Sequence, residues 1–296
     1  MLPQDLYQSA ESRAVRHTAE IDGNLCVYYE YPSTGFSDKT LVMIHGYRGN
    51  HRGLQAIAGG LTKFRVIVPD LPGFGESKPL RVTHSIQAYS DWLHQFLGAL
   101  QLQNQTHLMG HSFGSLVVGF YATQHSPRSV SLVNPVSSPA LKGPRAALTN
   151  LTRLYYSLAS ALPKTIGQWF LRSKIAVMVM SVVMAKTKQR SLRRWIHNQH
   201  LSNFSDFASV GVATEGYEAS ISTDLSKLAT LISAPVLVVA ANLDDITDID
   251  SQRRVSKLYL NSTYREIQGV GHLVHYEAPD QAATFITEFL DSQPWN

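Results

Sequence analysis

The run Thr106-His107-Leu108-Met109-Gly110-His111-Ser112-Phe113-Gly114-Ser115-Leu116-Val117-Val118-Gly119-Phe120-Tyr121-Ala122 decides the fold. Residues 106–109 read as a short strand and 116–122 as a helix, with Gly110-His111-Ser112-Phe113-Gly114 between them in the pattern G-x-S-x-G. A serine on a strained strand-to-helix turn holds its hydroxyl clear of the backbone. The flanking glycines are needed because side chains there would clash with the neighbouring strand and helix. The strand before and the helix after mark Ser112 as a candidate nucleophile rather than part of an ordinary glycine-rich turn.

Outward from this turn the chain alternates strands and helices. Two strand-like runs surround Asp22-Gly23-Asn24, fully apolar runs at 41–44 and 66–68 have the character of strands buried on both faces, and further strands are read at 130–133 and, apolar throughout, at 236–239. Helical spacing recurs at 54–61, 85–100, 251–260 and 281–290, and a further strand is expected at 264–267. Strands alternating with helices predict an α/β fold with a mostly parallel central sheet flanked by helices. From about residue 136 to 220 the rhythm lapses. Pro139, Pro144 and Pro163 punctuate basic, methionine-rich, mainly helical segments, which reads as an inserted helical cap (136–220) on a core domain formed by 1–135 and 221–296.

A serine hydroxyl is a weak nucleophile at neutral pH and needs a base within hydrogen-bond reach, itself oriented by a third group. His272, in Gly269-Val270-Gly271-His272 between the last strand and the last helix, is the candidate base, with His275 as the alternative. Asn242-Leu243-Asp244-Asp245 follows the strand 236–240, and carboxylates at the carboxyl end of a parallel strand are well placed for a site. Asp244 is the first choice of orienting acid and Asp245 the second. A developing oxyanion requires two backbone N–H donors, expected from Phe113, after the nucleophile, and from Tyr47, in the loop after His45-Gly46. His45, Gly46 and His111 are expected to border the substrate.

Composition sets the outer bounds. The chain has 296 residues, 44% of them hydrophobic and 16% charged, enough to bury a large core and far from a disordered composition. One cysteine, Cys26, excludes an internal disulfide. No H-E-x-x-H, paired cysteines or other metal-ligand spacing is found, and G-x-x-x-x-G-K-[ST] is not met at Gly73-Phe74-Gly75-Glu76-Ser77-Lys78, so neither a metal nor another cofactor is expected. The first twenty residues carry acids and lack the apolar core of about 7–15 residues typical of a secretory signal, pointing to a cytoplasmic protein. Trp92 to Ser205, 114 residues, contain no Asp or Glu but 12 Lys and Arg. A solvated cap face accounts for this better than a nucleic-acid patch, and no nucleic-acid partner is expected. Trp169-Phe170-Leu171 and the apolar run 175–185, flanked by Arg172, Lys174, Lys186 and Lys188, suit weak contact with an anionic membrane surface or an acyl-chain pocket; packing of the cap on the core explains them equally. The run of 11 residues is shorter than the roughly 20 of a spanning helix.

With these residues in view, the chain resembles the α/β-hydrolase superfamily, in its capped form. The resemblance rests on His45-Gly46, on Asp70-Leu71-Pro72-Gly73-Phe74-Gly75-Glu76-Ser77, on the Ser112 turn, on Asn242-Leu243-Asp244 and on Gly271-His272, which together span residues 41–290. It departs from the family where Ala241 and Ser115 replace frequent glycines. Some relatives place the orienting acid after the strand that follows the Ser112 helix, here near Asn134; no carboxylate exists there, which leaves the Asp244 region. Haloalkane dehalogenases and epoxide hydrolases on this scaffold use an aspartate nucleophile, whereas serine points to acyl chemistry.

The resemblance implies a serine hydrolase acting on a small-molecule ester with a hydrophobic acyl group, through Ser112, His272 and Asp244. Two rival expectations remain: a carbon–carbon bond hydrolase of aromatic degradation, and a catalytically silent ligand receptor on the same fold. No sequence feature specifies an oligomeric state.

Overall fold

Four strands with almost no exposed side chain form the centre of the sheet, and each divides its apolar residues between two cores by simple alternation. Val42 and Ile44 face one core, with the helix residues Leu93, Phe96, Leu116 and Tyr121; Leu41 and Met43 face the other, with Leu54, Ile57, Ala282 and Ile286. The computed structural model describes residues 1–35, 39–103, 106–141 and 146–293. Among them, strands β1 (Val15–Ile21), β2 (Asn24–Tyr31), β3 (Thr40–Ile44), β4 (Arg65–Pro69), β5 (His107–His111), β6 (Ser129–Val133), β7 (Val236–Ala241) and β8 (Ser262–Ile267) make one sheet in the order β1-β2-β4-β3-β5-β6-β7-β8. From β4 to β8 every pairing is parallel; β1 pairs with β2, and β2 with β4, antiparallel.

The helices of the core are α1 (Pro3–Glu11), α2 (His51–Gly60), α3 (Ile86–Ala99) and α4 (Phe113–Gln124). Between β6 and β7 the chain leaves the sheet and forms α5 (Ala146–Ala161), α6 (Lys164–Leu171), α7 (Lys174–Met184), α8 (Arg190–Asn203) and α9 (Val210–Ser222). It returns through α10 (Ile249–Ser256), α11 (Val274–Glu277) and α12 (Pro279–Asp291). Side chains cap several of these: Asn50 accepts from Arg52 N–H, Ser85 from Ala88 N–H and Asp248 from Ser251 N–H.

The eight strands fall where the sequence places strands. Two helices were not anticipated. α1 is mostly polar along its length and α11 has only four residues, so neither carries a readable apolar period. The last helix of the insertion runs from Val210 to Ser222, with Ser209 capping its start. Lys142, Pro144 and Arg145, counted above with the basic, proline-marked insertion, lie outside the described residues.

β3 marks the point where strand order reverses. β4 lies on one side of it and β5 on the other, so the loops after β3 and after β5 diverge and open a crevice at the carboxyl edge of the sheet. Tyr47 follows β3 and Ser112 follows β5.

Candidate active site

Ser112 has φ 54° and ψ −117°, a region that L-residues seldom occupy. Two close approaches impose it. A Cβ on Gly110 would lie 2.3 Å from the Gly114 carbonyl oxygen, and one on Gly114 2.2 Å from the Ile44 carbonyl oxygen, so strand, turn and helix meet where only glycine fits. Ser112 occupies the N-cap position of α4, yet its hydroxyl caps no helix N–H. Instead Oγ lies 2.7 Å from His272 Nε2.

His272 Nδ1 lies 2.9 Å from Asp244 Oδ2. With Nδ1–H donating to the carboxylate, Nε2 is left as the acceptor for the serine hydroxyl, the tautomer that proton removal requires. The carboxylate is itself fixed: Oδ1 accepts the N–H groups of Ile246 at 2.7 Å and Thr247 at 3.1 Å, and Gln252 Nε2 approaches Oδ2 at 3.5 Å. Asp244 and His272 are buried while Ser112 is partly exposed, so the chain of hydrogen bonds ends at its accessible atom. Asp245 points elsewhere and pairs with Lys186. His275 is also not the partner of Ser112; its Nδ1 lies 3.2 Å from His111 Nε2.

Three residues hold the His272 loop in place. Asn134, buried at the end of β6 with φ 44°, donates from Nδ2 to the carbonyls of Gly271 at 3.1 Å and His272 at 3.0 Å, and accepts from Ala241 N–H at 2.9 Å. It thereby ties β6, β7 and the loop together. His111 Nε2–H points at the His272 carbonyl, 3.2 Å away, and burial drives the His111 pKa down to about 3, so the ring stays neutral. Glu277 accepts from Gly271 N–H at 3.0 Å through one oxygen, and from the N–H groups of Lys186 and Thr187, each at 2.6 Å, through the other. One carboxylate therefore joins the His272 loop to the segment between α7 and α8. Sequence reasoning missed Asn134 and Glu277 as supports, because their partners are backbone groups distant in the chain.

The loop after β3 abuts Ser112. A Cβ on Gly46 would lie 3.4 Å from Ser112 Cβ and 3.3 Å from His111 Nδ1. His45 is buried and neutral: burial lowers its pKa, its Nδ1–H donates to the Gly46 carbonyl at 2.9 Å, and its Nε2 accepts from Leu71 N–H at 2.9 Å. Phe113 is the first residue of α4, a position whose N–H finds no acceptor within the helix. The Tyr47 ring sits among Phe74, Phe113, Tyr156 and Tyr217, with centroids 5.9–6.4 Å away, and its hydroxyl donates to the Ala213 carbonyl. Next to it Arg48, buried with φ 56°, donates to the carbonyls of Phe204 at 3.0 Å and Leu171 at 2.8 Å and to the Tyr156 hydroxyl at 3.3 Å. Adjacent residues of one loop thus face Ser112 and clasp the helical insertion.

The Asp70–Ser77 loop supports the same junction. Asp70 accepts from His51 N–H at 2.7 Å, His51 Nδ1–H at 2.9 Å and Glu76 N–H at 3.0 Å. Burial alone would raise its pKa, but these bonds and the nearby histidines outweigh it and hold the carboxyl below the usual range. Gly75 has φ 55° and no space for a side chain, since a Cβ would lie 2.2 Å from Asp70 Oδ2. Gly75 N–H and the Gly73 carbonyl then bond to Asp206 and Ala208 of the insertion. Cys26 offers no competing nucleophile, because burial pushes its thiol up to about 12.

A family model described as alpha/beta hydrolase fold matches residues 39–279. A pimeloyl-(acyl-carrier protein) methyl ester esterase of Aeromonas hydrophila is 28% identical over 256 residues, covering 84% of this chain and 94% of its own. Lipase 1 of Psychrobacter immobilis is 26% identical over 273 residues, covering 88% of this chain and 79% of its own. Among solved structures, a thermophilic esterase from Thermogutta terrifontis superposes with a TM-score of 0.74 at 22% identity, over 94% of this chain and 98% of that one.

Proposed function

The chain belongs to the α/β-hydrolase family and is a hydrolase of the esterase and lipase type, and on that premise we propose that it cleaves carboxylic esters of hydrophobic acyl groups through a triad of Ser112, His272 and Asp244. The observation that carries this reading is the unbroken hydrogen-bonded chain Asp244–His272–Ser112, ending on a partly exposed hydroxyl. Ser112 Oγ attacks the ester carbonyl carbon while His272 Nε2 takes its proton. The oxyanion that forms is held by the backbone N–H groups of Phe113 and Tyr47. Collapse breaks the carbon–oxygen bond, and the departing alkoxide takes the proton from His272, leaving an acyl-enzyme. Water then attacks with His272 again as base, releasing the carboxylic acid and restoring Ser112. Asp244 orients His272 and stabilises its cation at each proton transfer.

We assign His45, Gly46 and His111 to shaping the crevice, and the insertion of α5–α9 to a cap whose aromatic underside, Tyr156 and Tyr217 against Tyr47, borders the acyl group. The named chemistry of the relatives, methyl-ester and lipid hydrolysis, supports an ester whose acyl part is apolar. A fluorophosphonate probe tests the reading: it should label the wild type and leave Ser112→Ala unlabelled. A folded wild-type protein that resists the probe would instead be a silent ligand receptor. A series of p-nitrophenyl esters then tests the acyl preference, and indifference to chain length would refute the apolar acyl site.

A further inference from the structure

The helical insertion turns apolar faces outward. In α5, Leu148, Leu151, Leu154 and Leu158 recur every three or four residues, as one face of a helix does, and each is more than half exposed. In α7 the same spacing puts Ile175, Val179 and Val182 in solvent, at 77%, 60% and 58% exposure. Trp169 in α6 is 75% exposed. Each of these helices already buries an opposite face, through Tyr156 and Ala159, through Gly167 and Leu171, and through Val177 and Ser181, so the outward stripes are not needed to hold the insertion to the core. Apolar exposure of this extent marks an interaction surface.

The segment that carries the stripes holds charges of one sign. From Ala146 to Asn203 the chain has nine Lys and Arg and no Asp or Glu. Lys164 and Lys174 stand exposed at the first positions of α6 and α7, where a cation opposes the helix dipole and weakens the helix. Arg153 and Lys186 pair with Glu218 and Asp245, whereas among the described residues no salt bridge engages Lys164 or Lys174. A second copy meeting this face about a twofold axis would set like charges against each other. An anionic, apolar-backed surface satisfies both features at once.

Within residues 164–184 the most apolar 18-residue window has a mean hydropathy of 1.3, but the segment does not form one spanning helix. The chain breaks at Arg172 and Ser173 into helices of 8 and 11 residues. At about 1.5 Å per residue these reach roughly 12 and 17 Å, against about 30 Å of hydrocarbon. Arg172 is also held down, donating to the Phe207 carbonyl at 2.7 Å. Short helices with an apolar outer stripe, basic ends and an anchored connection lie in a lipid interface rather than across it.

We propose that the outward faces of α5, α6 and α7 dock on an anionic phospholipid surface, with the basic residues meeting the headgroups. The inference does not depend on the chemistry assigned to Ser112, since binding is measured without turnover. The test is co-sedimentation with phosphatidylcholine vesicles with and without phosphatidylglycerol. Wild type should partition onto the anionic vesicles at least about tenfold more strongly than onto neutral ones, and salt should weaken it. Trp169→Glu combined with Ile175→Glu should lower that partition about tenfold or more, with hydrolysis of a water-soluble short-chain ester and the melting temperature unchanged. Failure of wild type to bind either vesicle would overturn the proposal, as would equal binding by the double variant. So would a wild-type dimer in sedimentation velocity that the double variant converts to monomer without lipid, for then a second copy covers the face.

Discussion

Asp244 and Asp245 are adjacent in sequence but differ in surroundings. The first is buried, holds His272 and accepts two loop N–H groups; the second is exposed and pairs with Lys186. Asp244→Asn should leave the fold in place and reduce ester hydrolysis about 1,000- to 10,000-fold, because the amide favours the wrong imidazole tautomer. Asp245→Asn should retain activity within about threefold, since an exposed ion pair contributes little. Steady-state kinetics on both variants decides between the two carboxylates, and the reverse ranking would move the triad acid to Asp245. Sequence reasoning could rank this pair only by position after a strand and by the resemblance at Asn242-Leu243-Asp244. Burial separates them, and burial depends on residues far along the chain.

At the scale of elements, the central strands were legible because strands buried on both faces are mostly apolar, which β3 and β7 show as unbroken runs from Leu41 to Ile44 and from Val236 to Ala241, while β5 and β6 are equally buried but carry His107, Ser129 and Ser131 inside. The glycine-flanked serine was legible because close approach leaves a residue type behind. The clasp between insertion and core was not. Arg48 reaches residues 108–156 positions away, and Glu277 reaches back 91 positions to Lys186; nothing local to either residue encodes such a partner. Glu277 supplies the element-scale prediction. Glu277→Ala would orphan three backbone N–H groups, lowering stability by about 2–3 kcal/mol and freeing both the α7–α8 connection and the His272 loop. Trypsin should then cut after Lys186 or Lys188 at lower dose than in wild type, with a several-fold fall in kcat. If neither cleavage nor turnover changes, the carboxylate is not the tie between insertion and site.

Across the whole molecule, four buried histidines are uncharged, at the carboxyl edge of the sheet and in the helices packed near it. Burial lowers the pKa of His45, takes His111 to about 3 and His200 to about 4, and lowers that of His275 well below its ordinary value. Each is neutral when folded, while the unfolded chain takes up protons below about pH 6.5. The unfolded state therefore binds more protons, and stability must fall as the pH drops from about 6.5 towards 4. Asp70, whose pKa is lowered rather than raised, adds its own loss only below about pH 4, so the upper part of the window belongs to the histidines. Melting temperatures should decline steadily between about pH 7 and pH 5. A flat profile would mean that the buried rings exchange protons freely in the folded state.

The backbone at Ser112, with φ 54° and ψ −117°, bears on how such a protein drifts. A side chain held there costs about 1–3 kcal/mol, which glycine would recover less about 0.5–1 kcal/mol of chain entropy. Ser112→Gly should therefore melt higher than wild type while losing all turnover, a result that calorimetry can check. If so, folding free energy does not defend this position but favours its loss, and selection on the hydroxyl's chemistry alone keeps a serine at residue 112.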